Sequence, residues 1–212
     1  MMIPSIWIYG GVHHDPGTRQ RFLEEFAKQQ AAPCFVAVEW EKSVFEKFVQ
    51  WRPWVEERLK SCRDFLTSQD RHELSLALAW EADSYAQCFP GTDVLWLETG
   101  FQEARYDPSV PESKAQYVVK QLCDPLLDPK SKTELINQVW RKAWEERDSI
   151  PGHFDRDARW DDAICQRISD LRDGWIAVVV GWQHANPEGD NHRLRSLLVS
   201  RGFTVNSVYL GP

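Results

Sequence analysis

The chain has 212 residues, 42% of them hydrophobic, with 11 Trp and 10 Phe, enough apolar material for a sizeable core in one folded unit. Its formal charge of -7, from 32 acidic against 25 basic residues, comes without any Lys/Arg cluster that would track a phosphate backbone, so nucleic acid is not an expected partner. Apolar runs fall far short of the roughly 20 residues that span a bilayer, no basic segment precedes the first of them, and Cys34, Cys62, Cys88, Cys123 and Cys165 are odd in number and never in C-x-x-C; a cytoplasmic protein with no membrane partner and buried thiols is the expectation.

Ile3 to Tyr9 reads as the first strand and runs into Gly10-Gly11-Val12-His13. The turn Asp15-Pro16-Gly17-Thr18 supplies an N-cap, and Phe22, Leu23, Phe26 and Ala27 then recur at helical spacing up to about Gln30. Cys34 to Val38 is a second apolar strand that ends on Glu39 and Trp40. A long helical region follows, from about 43 to 88, with a break expected at Pro53 because proline removes a helix hydrogen bond. Pro90-Gly91-Thr92-Asp93 introduces the third strand, Val94 to Leu97, which ends on Glu98.

Between about 107 and 171 the pattern is helical again, interrupted at Pro125, Pro129 and Pro151-Gly152. Ile176 to Val180 is a run of five small or branched apolar residues, too short for a buried helix and suited to a strand covered on both faces. It is the expected central strand. Gly181-Trp182-Gln183-His184 closes it, repeating the glycine and histidine of the first strand. Leu194, Leu197 and Leu198 form a helix stopped by Gly202, and Phe203 to Leu210 is the last strand.

Alternating strands and helices predict an α/β fold: a mainly parallel central sheet flanked by helices on both faces, with helical insertions at about 43–88 and 107–171 over the strand ends, all in one domain, 1–212. In a parallel sheet His13, Glu39, Glu98 and His184 emerge along one edge, where open α/β sheets bind ligands. Imidazole and carboxylate together hold a divalent metal or move protons, and both routes lead to hydrolysis. The donor set suits Zn, Mn, Co or Fe without choosing among them. His14 fits the glycine-histidine spacing through Gly11 as well as His13 does through Gly10. Glu39 reads equally as site carboxylate and as helix cap, and Glu98 equally as site residue and salt-bridge partner. Arg105, Arg156 and Arg159 suit a carboxylate or phosphate, with surface pairing as the default. Trp40 and Trp182 adjoin the edge as candidate walls of a substrate pocket.

Gly10-Gly11-Val12-His13, Val36-Ala37-Val38-Glu39 and Val179-Val180-Gly181-Trp182-Gln183-His184, with a helix and strand after them, resemble the TraB/PrgY/GumN and Tiki superfamily, related to the erythromycin-esterase and ChaN-like folds. The resemblance implies a metal-dependent hydrolase acting on a peptide or small-molecule substrate through an amide or ester bond. His13 and His184 would bind its metal, Glu39 would be a further ligand or the general base, and Glu81 in Trp80-Glu81-Ala82-Asp83 its helix glutamate, with Arg159 kept as a candidate substrate contact. The family's Asp-Arg pair after the third strand reads Glu98-Thr99 here, and in its Arg-Asn or Arg-Asp pair of the late helix Trp160 stands in the Arg place with Arg159 one residue off. A Tiki-like membrane anchor is not expected from this sequence. Relatives also suggest a second reading, a protein that binds a peptide, small ligand or haem in the same cleft without turnover.

Overall fold

The computed structural model describes residues 4–12, 15, 17–62, 66–68, 70, 71, 80–98, 120–128, 130–132, 134, 155–171 and 173–212. Five strands form one sheet: β1 (Ser5–Gly11), β2 (Val36–Val38), β3 (Val94–Trp96), β4 (Trp175–Gly181) and β5 (Val205–Tyr209). They lie in the order β3-β2-β4-β1-β5, and every pairing is parallel. The fold is α/β, as the alternation predicts.

β4 is the central strand. Its β-branched run explains why, since Ile176, Ala177, Val178, Val179 and Val180 are buried on both faces of the sheet. Alternate residues serve opposite layers. Tyr9, Val36, Val38, Ala177 and Val179 pack with Phe22 and Phe26 of helix α1 (Thr18–Phe26). Ile6, Ile8, Ala37, Ile176, Val178 and Val180 pack with Trp160, Ile164 and Ile168 of a later helix, and with Leu194 and Leu198 of the last one. Helices therefore cover both faces.

Helix α2 (Lys42–Cys62) differs from expectation, for it runs straight through Pro53. A proline takes one hydrogen bond from a helix; here it lies on the exposed side while Val55 behind it is completely buried, and packing carries the helix across. Glu81 sits not on a long helix but on the 3-10 turn Trp80–Ala82, followed by the short α3 (Tyr85–Cys88). Most of 107–171 lies outside the described residues until α4 (Arg156–Ile168). After β4 come the single turn α5 (Trp182–Ala185) and α6 (Leu194–Ser200), which ends before Gly202 at φ 89°.

One feature of the topology locates a cleft. β1 and β4 are neighbours, yet the helix after β1 joins the layer of Phe22 and Phe26, while α5 and α6 after β4 join the layer of Ile164 and Leu198. Outgoing connections that part to opposite faces open a crevice beyond the carboxyl ends of the two strands.

Candidate active site

Strand register puts the glycines of the two Gly-x-x-His units side by side at the carboxyl ends of β1 and β4. Gly11 pairs with Gly181, and Gly10 with Val180. Gly10 has a packing reason to be glycine: a Cβ there would lie 2.4 Å from the Trp182 ring and 2.9 Å from Ala185 Cβ. The close approach lets α5 settle onto β1 and brings His184 down into the sheet edge. His13 and His14 lie outside the described residues. Gly11, level with Gly181, precedes His14 by the same three positions that separate Gly181 from His184.

His184 is completely buried and has partners on both ring nitrogens. Nδ1 is 2.8 Å from Asp157 Oδ2, and Nε2 is 2.6 Å from a terminal nitrogen of Arg156. A guanidinium only donates, so Nε2 accepts and the ring proton is on Nδ1, donated to Asp157. The Gln183 side-chain nitrogen lies 3.1 Å from the same Nε2. The ring also packs against Trp160 at 5.0 Å between centroids, and Arg156 lies over the Trp160 ring at 5.1 Å.

Three carboxylates surround this core. Asp157 Oδ2 also accepts the Leu194 N–H at 2.9 Å, so one oxygen ties the first turn of α4 to His184 and to the start of α6. Glu39 continues β2 along β4 through its N–H to Val179 O (3.2 Å), which aims its side chain across the end of β4. There Oε2 accepts the Gly181 N–H at 2.8 Å, while Oε1 lies 3.6 Å from Arg156 and 3.9 Å from His184 Nε2. Glu98 is 1% exposed, and neither of its oxygens has a hydrogen-bond partner among the described residues. Burial first, and then the Glu39 charge, push its carboxyl up to about 7, against the opposing pull of Arg156 and Arg159.

Of the residues the sequence singles out, His184 and Glu39 come together. Glu81 is buried on its turn, beside Trp80, whose ring lies against Gly11. Trp40 is buried in the aromatic layer, whereas Trp182 is half-buried between Gly10 and Tyr209, its ring 4.8 Å from the tyrosine. Arg159 is exposed and acts on Glu98 only through its charge. Sequence reasoning left Arg156 among the arginines with surface pairing as the default, and it passed over Asp157. The signal was available, because Asp155-Arg156-Asp157 is an Arg-Asp pair one helical turn before the position where the resemblance sought one.

The metal expectation meets a direct obstacle. A divalent ion bound by His184 and Glu39 would need the Nε2 lone pair, and that lone pair accepts from Arg156, a cation. Among the described residues no group of three or more His, Cys, Asp or Glu side chains is arranged to hold a metal. Among the described residues the Nε2 lone pair thus faces a guanidinium, while His13, the other expected imidazole ligand, lies outside them.

Comparisons with family models, with curated proteins and with solved structures gave no match to the chain. No helix among the described residues is long and apolar enough to cross a membrane.

Proposed function

We propose that the chain is a hydrolase of TraB/Tiki-like type that cleaves an amide or ester bond of a peptide or small molecule at the carboxyl ends of β1, β2 and β4. The observation that carries this reading is the buried His184, held between Asp157 at 2.8 Å and Arg156 at 2.6 Å and facing Glu39 at 3.9 Å.

The chemistry follows from the tautomer. With its proton fixed on Nδ1 by Asp157, the imidazole offers Nε2 as a base. At rest Arg156 donates to that lone pair. A substrate carbonyl entering the cleft gives Arg156 a better acceptor, and the oxyanion that forms as water adds draws the guanidinium more strongly still. Nε2 is then open to the proton of the attacking water, and Asp157 steadies the imidazolium that results. Glu39, anchored on the Gly181 N–H, keeps a negative charge beside both cations. Arg156 is thus a cover for the base at rest and a stabiliser of charge in the reaction.

In the metal-dependent form of this reading His13, His184 and Glu39 hold the ion; the Arg156 contact favours the metal-free form. One experiment separates them. Protein purified without chelator is analysed for bound Mn, Co, Fe and Zn by elemental mass spectrometry and assayed on a panel of esters and peptide amides, with and without EDTA. The expected result is hydrolysis that survives EDTA and falls at least ~100-fold in His184→Ala. Activity that disappears with EDTA and returns with one of those ions would establish the metal form. Saturable ligand capture with no product under any condition would replace the hydrolase by a binding protein.

A further inference from the structure

The three carboxylates at the sheet edge are treated differently by the fold. Asp157 holds two donors on one oxygen, and Glu39 has one oxygen bonded to a backbone N–H. Glu98 is the most buried of the three and has no donor on either oxygen among the described residues. A structural carboxylate at that depth is ordinarily met by an Arg, a backbone N–H or a helix terminus, because stripping it of water without compensation is costly. Among the described residues Glu98 is desolvated and no donor meets it.

Its position is set by the sheet. Val38 pairs with Trp96, and the Leu97 N–H still bonds Val38 O at 3.0 Å, so Leu97 is level with Glu39 and Glu98 follows one residue beyond. Glu98 therefore leaves the sheet beside Glu39, on the edge that also carries His184. The charged groups acting on it are Glu39 and Glu41, which disfavour its ionisation as burial does, and Arg156 and Arg159, which favour it; burial is the largest of these influences. The carboxyl is raised to about 7, so it keeps its proton into the neutral range.

We infer that Glu98 is the acid that protonates the departing group when this site cleaves its substrate, an inference that rests on the hydrolase reading above. Water adds to the substrate carbonyl carbon and gives a proton to His184 Nε2. As the tetrahedral adduct collapses, the bond from carbon to the leaving nitrogen or oxygen breaks, its electron pair goes to the leaving atom, and that atom takes the Glu98 proton. Glu98 is left as carboxylate and His184 as imidazolium. Transfer of one proton from His184 to Glu98, directly or through water, restores both, and the net reaction is the addition of one water across the cleaved bond.

The test compares two leaving groups on the same acyl part. A p-nitrophenolate departs without protonation, whereas an alkoxide or an amine does not. In Glu98→Gln the rate on the alkyl ester or amide, divided by the rate on the p-nitrophenyl ester, is expected to fall by ~100-fold, the size of a general-acid contribution. The alkaline limb of the wild-type kcat profile on the alkyl substrate is expected to vanish in the variant. A variant that loses both substrates equally, in a wild-type background that hydrolyses them, overturns the role of Glu98 and leaves the hydrolase reading standing. A wild-type protein that hydrolyses neither substrate overturns both. Urea unfolding of the variant is run alongside, since glutamine keeps the side-chain shape but brings amide donors to a buried position.

Discussion

The two layers that cover the sheet are built from different materials. Around α1 the core is aromatic, with Tyr9, Phe22, Phe26, Trp40, Trp80 and Tyr85; Tyr9 meets Phe22 edge to face at 5.4 Å and 86°, while Phe22 and Phe26 stack. Around α4 and α6 the core is mostly aliphatic, with Trp160 and Phe35 as its buried rings. The polar cluster belongs to this second layer: Arg156 and Asp157 are the first turn of α4, Trp160 is one turn further on, and Leu194 opens α6. A helix whose first turn lies at the carboxyl edge delivers charged side chains there, with its own dipole favouring the anion. The aromatic layer supplies stability by area, while the aliphatic layer carries both packing and chemistry.

That contrast can be broken at its strongest point first. Phe22→Ala empties a fully buried position between Tyr9, Phe26 and Trp80. It should cost about 3–5 kcal/mol in urea unfolding and leave the His184 proton on Nδ1, as read from imidazole nitrogen NMR shifts. A change of tautomer would mean that the layers are not separable.

Glu98 gives the next largest effect, and its sign follows from linkage. The folded-state carboxyl is raised from 4.5 to about 7, so the stability tied to its bound proton is complete below the unfolded value and is lost as pH rises through the folded one. Wild type should therefore lose up to about 3 kcal/mol relative to Glu98→Gln between pH 4.5 and pH 8. Urea unfolding of both proteins at the two pH values measures it, and parallel curves would show that Glu98 is ionised when folded.

The smallest of the three joins the layers. Gly10→Ala places a methyl against Trp182 and Ala185, which should cost about 1–3 kcal/mol and shift α5 with His184 on it. The imidazole resonances should move although the mutation lies on the neighbouring strand. Unmoved resonances would show that α5 does not depend on the glycine for its seat.

Much of this organisation is legible in the residues. The β-branched run of β4, the shorter runs of β1 and β2 and the glycine after α6 all announce themselves, because periodicity, branching and φ preference are properties of a few adjacent residues. His184 and Glu39 could be placed at one edge for the same reason: in a parallel sheet every strand end points the same way. Pro53 misleads because the cost of a proline is local, whereas the packing of Val55 that carries α2 across it is not. Arg156 read as a surface charge because nothing near it in sequence needs it; its partner is 28 positions away.

The sequence alone therefore determined the strands, their parallel direction and the edge at which imidazole and carboxylate meet. Tertiary structure decided what those groups are. It placed a guanidinium on the histidine lone pair, fixed the tautomer through Asp157, and buried Glu98 deeply enough to keep its proton near neutral pH. The physical reason is range: backbone preference is written residue by residue, but a hydrogen-bond partner and a local dielectric exist only when distant segments are packed together.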